Sequence, residues 1–188
     1  MQVTGGIFRN RRIGVANQKG VRPTSARVRE AIFSMLGQDL TGVSFLDAFG
    51  GSGIMGVEAL SRGAAPVRIT EQSSRTVRQI RKECQDLSTS LEIVQCDARI
   101  GLRDIWDVVF LDPPSRMSVL PFLKVALSTA NETIIVETAS NNPLNLTSLQ
   151  VEMESRDWTV VKTKVYGAST VTILQRQASV EDEVGDHA

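Results

Sequence analysis

The chain has 188 residues, the length of one ordinary domain, and its 21 basic and 21 acidic side chains cancel. Two cysteines (Cys84, Cys96) and one histidine (His187) exclude a disulfide framework and a Cys/His zinc set, so no metal is expected. No apolar run approaches the ~20 residues a membrane span needs, and no apolar stretch follows the N-terminal arginines, which predicts a soluble, cytoplasmic protein.

In chain order, residues 1–36 form a basic extension. Arg9, Arg11, Arg12, Lys19, Arg22, Arg27 and Arg29 stand there against the single acid Glu30, a net of +6. Such a cluster suits phosphate contacts, which give affinity without reading base sequence, so these seven are the candidate RNA-binding residues. The extension is expected to end in a helix capped by Thr24 or Ser25. Val28, Ile32, Met35 and Leu36 recur there at helical spacing before Gly37, which leaves Arg27 and Arg29 off the apolar stripe.

Residues 37–177 alternate short apolar runs with amphipathic stretches, the pattern of an α/β sheet. Strands are predicted at 43–47, 67–71, 91–95, 106–111, 133–137, 151–158 and 171–175, and helices at 54–62, 73–87 and 119–130. Each of these helices is long enough to return a parallel strand. Residues 162–169, with Gly167, are short enough for a hairpin, so the far edge is expected to be antiparallel. Residues 178–188 hold four acids and no Lys or Arg, and are expected to be a disordered tail.

The first strand runs into Asp47-Ala48-Phe49-Gly50-Gly51-Ser52-Gly53-Ile54-Met55-Gly56, a G-x-G-x-x-G pattern between strand and helix. Such a loop lets a ligand approach backbone N–H groups, and a tight turn with nothing bound is its plain alternative. Asp47 distinguishes among nucleotide ligands. A carboxylate before the loop repels a diphosphate and attracts the α-ammonium of S-adenosylmethionine. Glu71, 20 residues beyond Gly51, suits ribose hydroxyls, and Asp97, followed by Ala98, suits an adenine amine. The candidate cofactor-binding residues are Asp47, Phe49, Gly50, Gly51, Gly53, Glu71, Gln72, Asp97 and Ala98.

The fourth strand ends in Asp112-Pro113-Pro114-Ser115, the candidate catalytic turn. An exocyclic base amine is a weak nucleophile because its lone pair is delocalised into the ring. Two acceptors on its N–H bonds, here the Asp112 carboxylate and the Pro113 carbonyl, turn that lone pair toward a methyl donor. Consecutive prolines fix φ and leave a carbonyl facing outward. Two other classes fit parts of this pattern: a nicotinamide-dependent oxidoreductase, and a noncatalytic RNA-binding assembly factor.

Taken together, Arg22-Pro23-Thr24, Arg27-Val28-Arg29-Glu30-Ala31, the loop Asp47 to Gly53 with Gly56 to Ala64, Glu71, Asp97 and Phe110 to Pro114 resemble the RsmD family, methyltransferases acting on a guanine N2 of 16S ribosomal RNA. The resemblance implies a class I S-adenosylmethionine-dependent methyltransferase fold, Rossmann-like, with a seven-stranded, mostly parallel sheet and an antiparallel edge hairpin. It also implies S-adenosylmethionine as methyl donor and a basic extension that holds RNA. The substrate is then expected within a small-subunit assembly particle, with the protein a monomer. The family usually has an aromatic, commonly Tyr, where this chain has Ser115, and an acid where it has Ala26. Phe8 and Phe122 are the aromatics weighed as substitutes for stacking on the target base.

Overall fold

Five segments pair as parallel strands: Phe45–Asp47 (β1), Val67–Glu71 (β2), Leu91–Gln95 (β3), Trp106–Leu111 (β4) and Ala130–Ala139 (β5). Trp158–Tyr166 (β6) and Ser169–Arg176 (β7) complete one edge as an antiparallel hairpin. The computed structural model describes residues 1–14, 24–87 and 90–177. The acidic tail and the basic residues Lys19 and Arg22 lie outside the described residues. Strand order is β3-β2-β1-β4-β5-β7-β6, so the chain winds outward from β1, then crosses back to β4. The reversal between β1 and β4 opens a crevice at the carboxyl ends of these strands, where open α/β sheets bind ligands.

The helices are Ala26–Leu36 (α1), Ile54–Ser61 (α2), Ser74–Cys84 (α3), Ala98–Gly101 (α4), Leu120–Thr129 (α5) and Gln150–Glu154 (α6). Ser25 caps α1, its side chain accepting from the Val28 N–H, and Gly37 at φ 104° ends it. The central strands bury both faces, so they read as continuous apolar runs whose alternate residues serve different cores. Phe45, Val108, Phe110 and Ile135 pack with α1, α2 and α3. Leu46, Val109, Leu111, Ile134 and Val136 pack with α5, Met153 and Trp158 on the other face.

Two expectations need correction. The segment predicted as a strand at 151–158 is the short helix α6, and the sixth strand starts only at Trp158. Val-Glu-Met-Glu alternates with period two, but the buried pair is Leu149 and Met153, one helical turn apart, while Val151 is exposed. The strands of the hairpin also run further than expected, leaving only Gly167 (φ 62°) and Ala168 between them. The edge strand β6 carries Lys162 and Lys164 between exposed valines, which discourages pairing with another sheet.

The extension is built into the first core. Residues 2–12 fold back as a hairpin held by Val3 N–H to Arg11 O and Asn10 N–H to Val3 O, with Val3 and Ile13 buried. A buried charge network fastens it. Glu58 of α2 accepts from Arg29 Nε at 3.1 Å, from the Thr4 N–H at 2.8 Å and hydroxyl at 3.0 Å, and from Arg62. The Arg29 guanidinium also donates to the carbonyls of Thr24 (2.7 Å) and Gln2 (2.6 Å). Arg29 is 1% exposed, so its assignment as an RNA contact is overturned: desolvated and fully partnered, it holds the extension down instead.

Candidate active site

Acidic side chains end neighbouring strands at one sheet edge. Asp47 closes β1 and Glu71 closes β2. Leu111 pairs with Val136, which sets Asp112, just after β4, level with Glu137 of β5. Four carboxylates thus converge on the crevice beside the strand reversal.

Asp47 is buried, and its Oδ1 has no hydrogen-bond partner among the described residues. Burial pushes its carboxyl up to about 7, the Phe49 and Gly56 backbone N–H groups pull it back in part, and the charge of Glu71 adds to the rise. A folded-state value above the ordinary 3.8 means that stability from this group is full below about pH 4 and is lost as pH climbs through about 7. Asp47→Asn is therefore expected to raise the melting temperature near pH 8 and flatten its decline from about pH 5 upward, as calorimetry across that range will measure. An orphaned buried carboxylate oxygen is costly unless a cation or donor meets it, so this one suits a ligand's ammonium.

The glycines of the loop divide the work. A Cβ at Gly56 would sit 2.5 Å from Ile69 Cγ1, so this glycine seats α2 on β2. Gly51 has φ +52°, yet a Cβ there would meet nothing nearer than 3.6 Å, so its outer side is open to a ligand. Its N–H donates to Glu71 Oε2 at 3.1 Å, while Glu71 Oε1 accepts from the Ser73 N–H at 2.7 Å. Glu71 therefore shapes the loop and the start of α3, and its carboxylate keeps acceptor capacity beyond these two bonds. Gln72 beside it is exposed, and Phe49 is half-buried, edge-on to Phe122 at 4.9 Å.

Asp97 caps α4 through the Arg99 N–H at 3.0 Å, and the Arg99 guanidinium grips both its oxygens at 2.9 and 3.0 Å. That clasp lowers its carboxyl to about 2. Ala98, just beyond, is buried.

Asp112 is partly buried, and desolvation followed by the charges of Glu137 and Asp47 holds its carboxyl well above the ordinary range. Next to it lies a cleft of about 260 Å³ lined by Pro113, Ser115, Arg116, Met117, Glu137 and Asn142, with others. Among the described residues, no aromatic ring lines it. Phe122 is buried against Phe49, and Phe8 packs on the first core, so neither of the two aromatics weighed as stacking partners reaches the cleft.

A family model described as conserved hypothetical protein 95 matches residues 1–175. Ribosomal RNA small subunit methyltransferase D of Haemophilus influenzae is 31% identical over 191 residues, covering 93% of both chains. The Escherichia coli K12 protein of that name is 31% identical over 192 residues, covering 97% of this chain and 93% of that one. The chain belongs to the RsmD family. A solved structure of the Escherichia coli protein yhhF superposes on this RsmD-family chain with a TM-score of 0.76 at 29% identity, over 95% of this chain and 99% of that one. At the level of fold alone, the Synechocystis magnesium protoporphyrin IX methyltransferase with bound SAM shares the sheet, with a TM-score of 0.61 at 14% identity over 80% and 79% of the chains. The class I methyltransferase fold expected from the RsmD resemblance is the fold observed.

Within this family frame the structure brings Asp47, Gly51, Glu71 and Asp112 to one crevice. Arg9, Arg12 and Arg27 are exposed, and Arg11 pairs with Asp86 at 2.5 Å. Glu137 escaped the sequence reading, although Ile-Ile-Val-Glu carries the same signal of an acid at the end of an apolar strand that marked Glu71. Thr24, whose hydroxyl donates to Glu137 Oε2 at 3.0 Å, enters the sequence analysis as a candidate cap and as part of Arg22-Pro23-Thr24, not as a partner of Glu137.

Proposed function

We propose that this protein transfers a methyl group from S-adenosylmethionine to the N2 amine of a guanine in small-subunit ribosomal RNA, acting as a cytoplasmic monomer on a partly assembled particle. The observation that carries this reading is the Asp112-Pro113 corner beside a base-sized cleft at the carboxyl ends of β4 and β5, with the orphaned Asp47 oxygen at the same sheet edge. The family relatives, named for the same class of substrate, support it.

S-adenosylmethionine, when bound, supplies an electrophilic methyl on a sulfonium. Asp47, the open side of Gly51 and the turn at Gly53 hold its methionine end, Glu71 its ribose, and Asp97 with the Ala98 backbone its adenine, with Phe49, Gly50 and Gln72 flanking. At the other side, Asp112 and the Pro113 carbonyl accept the two N–H bonds of the amine, and the raised Asp112 carboxyl is suited to take the proton that nitrogen releases. Pro114 stiffens the corner and Ser115 leaves its mouth open. Arg9, Arg12 and Arg27, with Lys19 and Arg22, contact phosphates, and Arg11 joins them when it leaves Asp86.

With no ring in the cleft, the planar guanidinium of Arg116 is the flat cation that stacks on the base. Arg116→Ala is expected to reduce kcat/KM about tenfold or more and Arg116→Lys nearly as much, because Lys keeps the charge and loses the plane. Steady-state kinetics on the particle will decide this. The whole reading is tested by mass spectrometry of ribosomal RNA from cells with and without the protein: one methylguanosine of the small subunit should vanish with it. An unchanged methylation map would refute the assignment.

A further inference from the structure

Building on the guanine N2 reading, we propose that Glu137 is the residue that distinguishes guanine from other bases, by accepting a hydrogen bond from its N1–H. Glu137 is 6% exposed, lines the same cleft as Pro113 and Ser115, and stands level with Asp112 across the β4–β5 ladder. One lone pair of its Oε2 is used by the Thr24 hydroxyl at 3.0 Å, which fixes the orientation of the carboxylate. A carboxylate has about four lone-pair sites, so acceptor capacity remains for a ligand.

The wall facing the target base is therefore rich in acceptors. Asp112, Pro113 and Glu137 stand together, and after desolvation the charge of Glu137 is the larger of the two that raise the Asp112 carboxyl. A ligand edge rich in donors suits such a wall. Guanine presents three around one carbon, C2: two N–H bonds at N2 and one at N1. With Asp112 and Pro113 taking the N2 pair, N1–H falls to the remaining carboxylate. Adenine and cytosine place a ring-nitrogen acceptor beside their amines, which would face Glu137 lone pair to lone pair. A site built to receive an N–H rejects an analogue lacking it far more strongly than a site reading shape alone.

The discriminating substrate is 2-aminopurine, which keeps the amine at C2 and carries an acceptor at N1. Particles are assembled from RNA with guanine or 2-aminopurine at the methylated position, and methyl transfer is measured with wild type, Glu137→Gln, Glu137→Asp and Thr24→Val. Wild type should prefer guanine by about 100-fold or more in kcat/KM. Glu137→Gln, whose amide can donate to N1, should cut the preference to within about tenfold, Glu137→Asp should keep most of it, and Thr24→Val should lower the rate on both substrates with the ratio retained. Wild type that methylates both bases equally overturns the proposal without any variant. So does a Glu137→Gln protein that binds S-adenosylmethionine normally and keeps the full preference, or a Thr24→Val protein that loses it equally. Failure of wild type to label either base would instead sink the guanine N2 reading itself.

Discussion

Asp112→Ala is expected to lower kcat for methyl transfer by about 10²- to 10³-fold while leaving S-adenosylmethionine affinity within about twofold. The asymmetry follows from where the side chain sits. Asp112 follows β4 and adjoins Pro113, which lines the cleft, whereas the groups suited to the donor, Asp47 and Glu71, end β1 and β2 across the strand reversal. An acceptor on the amine is used as the lone pair localises, so its loss appears in kcat rather than in binding. Asp112→Asn should be nearly as damaging, because its amide can turn a donor toward an amine that already supplies donors. Since burial and the charges of Glu137 and Asp47 hold the Asp112 carboxyl well above 3.8, the rate should rise with pH as that carboxyl ionises. Tritium transfer measured beside titration calorimetry separates the two quantities. A mutant that binds the donor tenfold more weakly would contradict the assignment, as would one that retains the wild-type rate.

The second large effect concerns stability. Glu58→Ala is expected to destabilise the protein by about 3–5 kcal/mol, a fall of about 10 °C in melting temperature. Removing this carboxylate leaves Arg29 and Arg62 charged and desolvated, since both are at most 5% exposed and Glu58 is their shared partner. The Thr4 N–H and hydroxyl lose their acceptor in the same step, so the N-terminal hairpin should detach before the sheet unfolds. Thermal melting with hydrogen exchange on residues 2–12 reads both consequences. Arg29→Met is expected to cost less than Glu58→Ala, because Glu58 keeps Arg62 and Thr4 as partners.

How legible each feature was depends on the range of the interaction behind it. The parallel strands were readable because Phe45-Leu46 and Val108 to Leu111 are apolar on both faces, a pattern that two-sided burial imposes locally. The cap at Ser25 and the stop at Gly37 are equally local. Residues 151–158 misled because four residues alternating Val-Glu-Met-Glu satisfy a strand's period as well as a helix's; packing of Leu149 and Met153 beneath the sheet decided between them. Arg29 misled for a related reason. Its charge is visible in the sequence, but Glu58, its partner, lies 29 residues away.

By itself the sequence determined the α/β class, the glycine turn after β1, the acids at the ends of β1 and β2, and the Asp-Pro-Pro corner, since each is written in neighbouring residues and in the periodicity of burial. The tertiary structure alone decided which charges face water and which are spent inside. It set Glu137 level with Asp112 and placed Thr24 against it, 113 residues away. It also withdrew Arg29 from the candidate RNA contacts and left the cleft beside Pro113 without an aromatic ring among the described residues. The physical reason is that burial and pairing of a charge are properties of the groups folded around it, and strand register, not adjacency in sequence, brings those groups together.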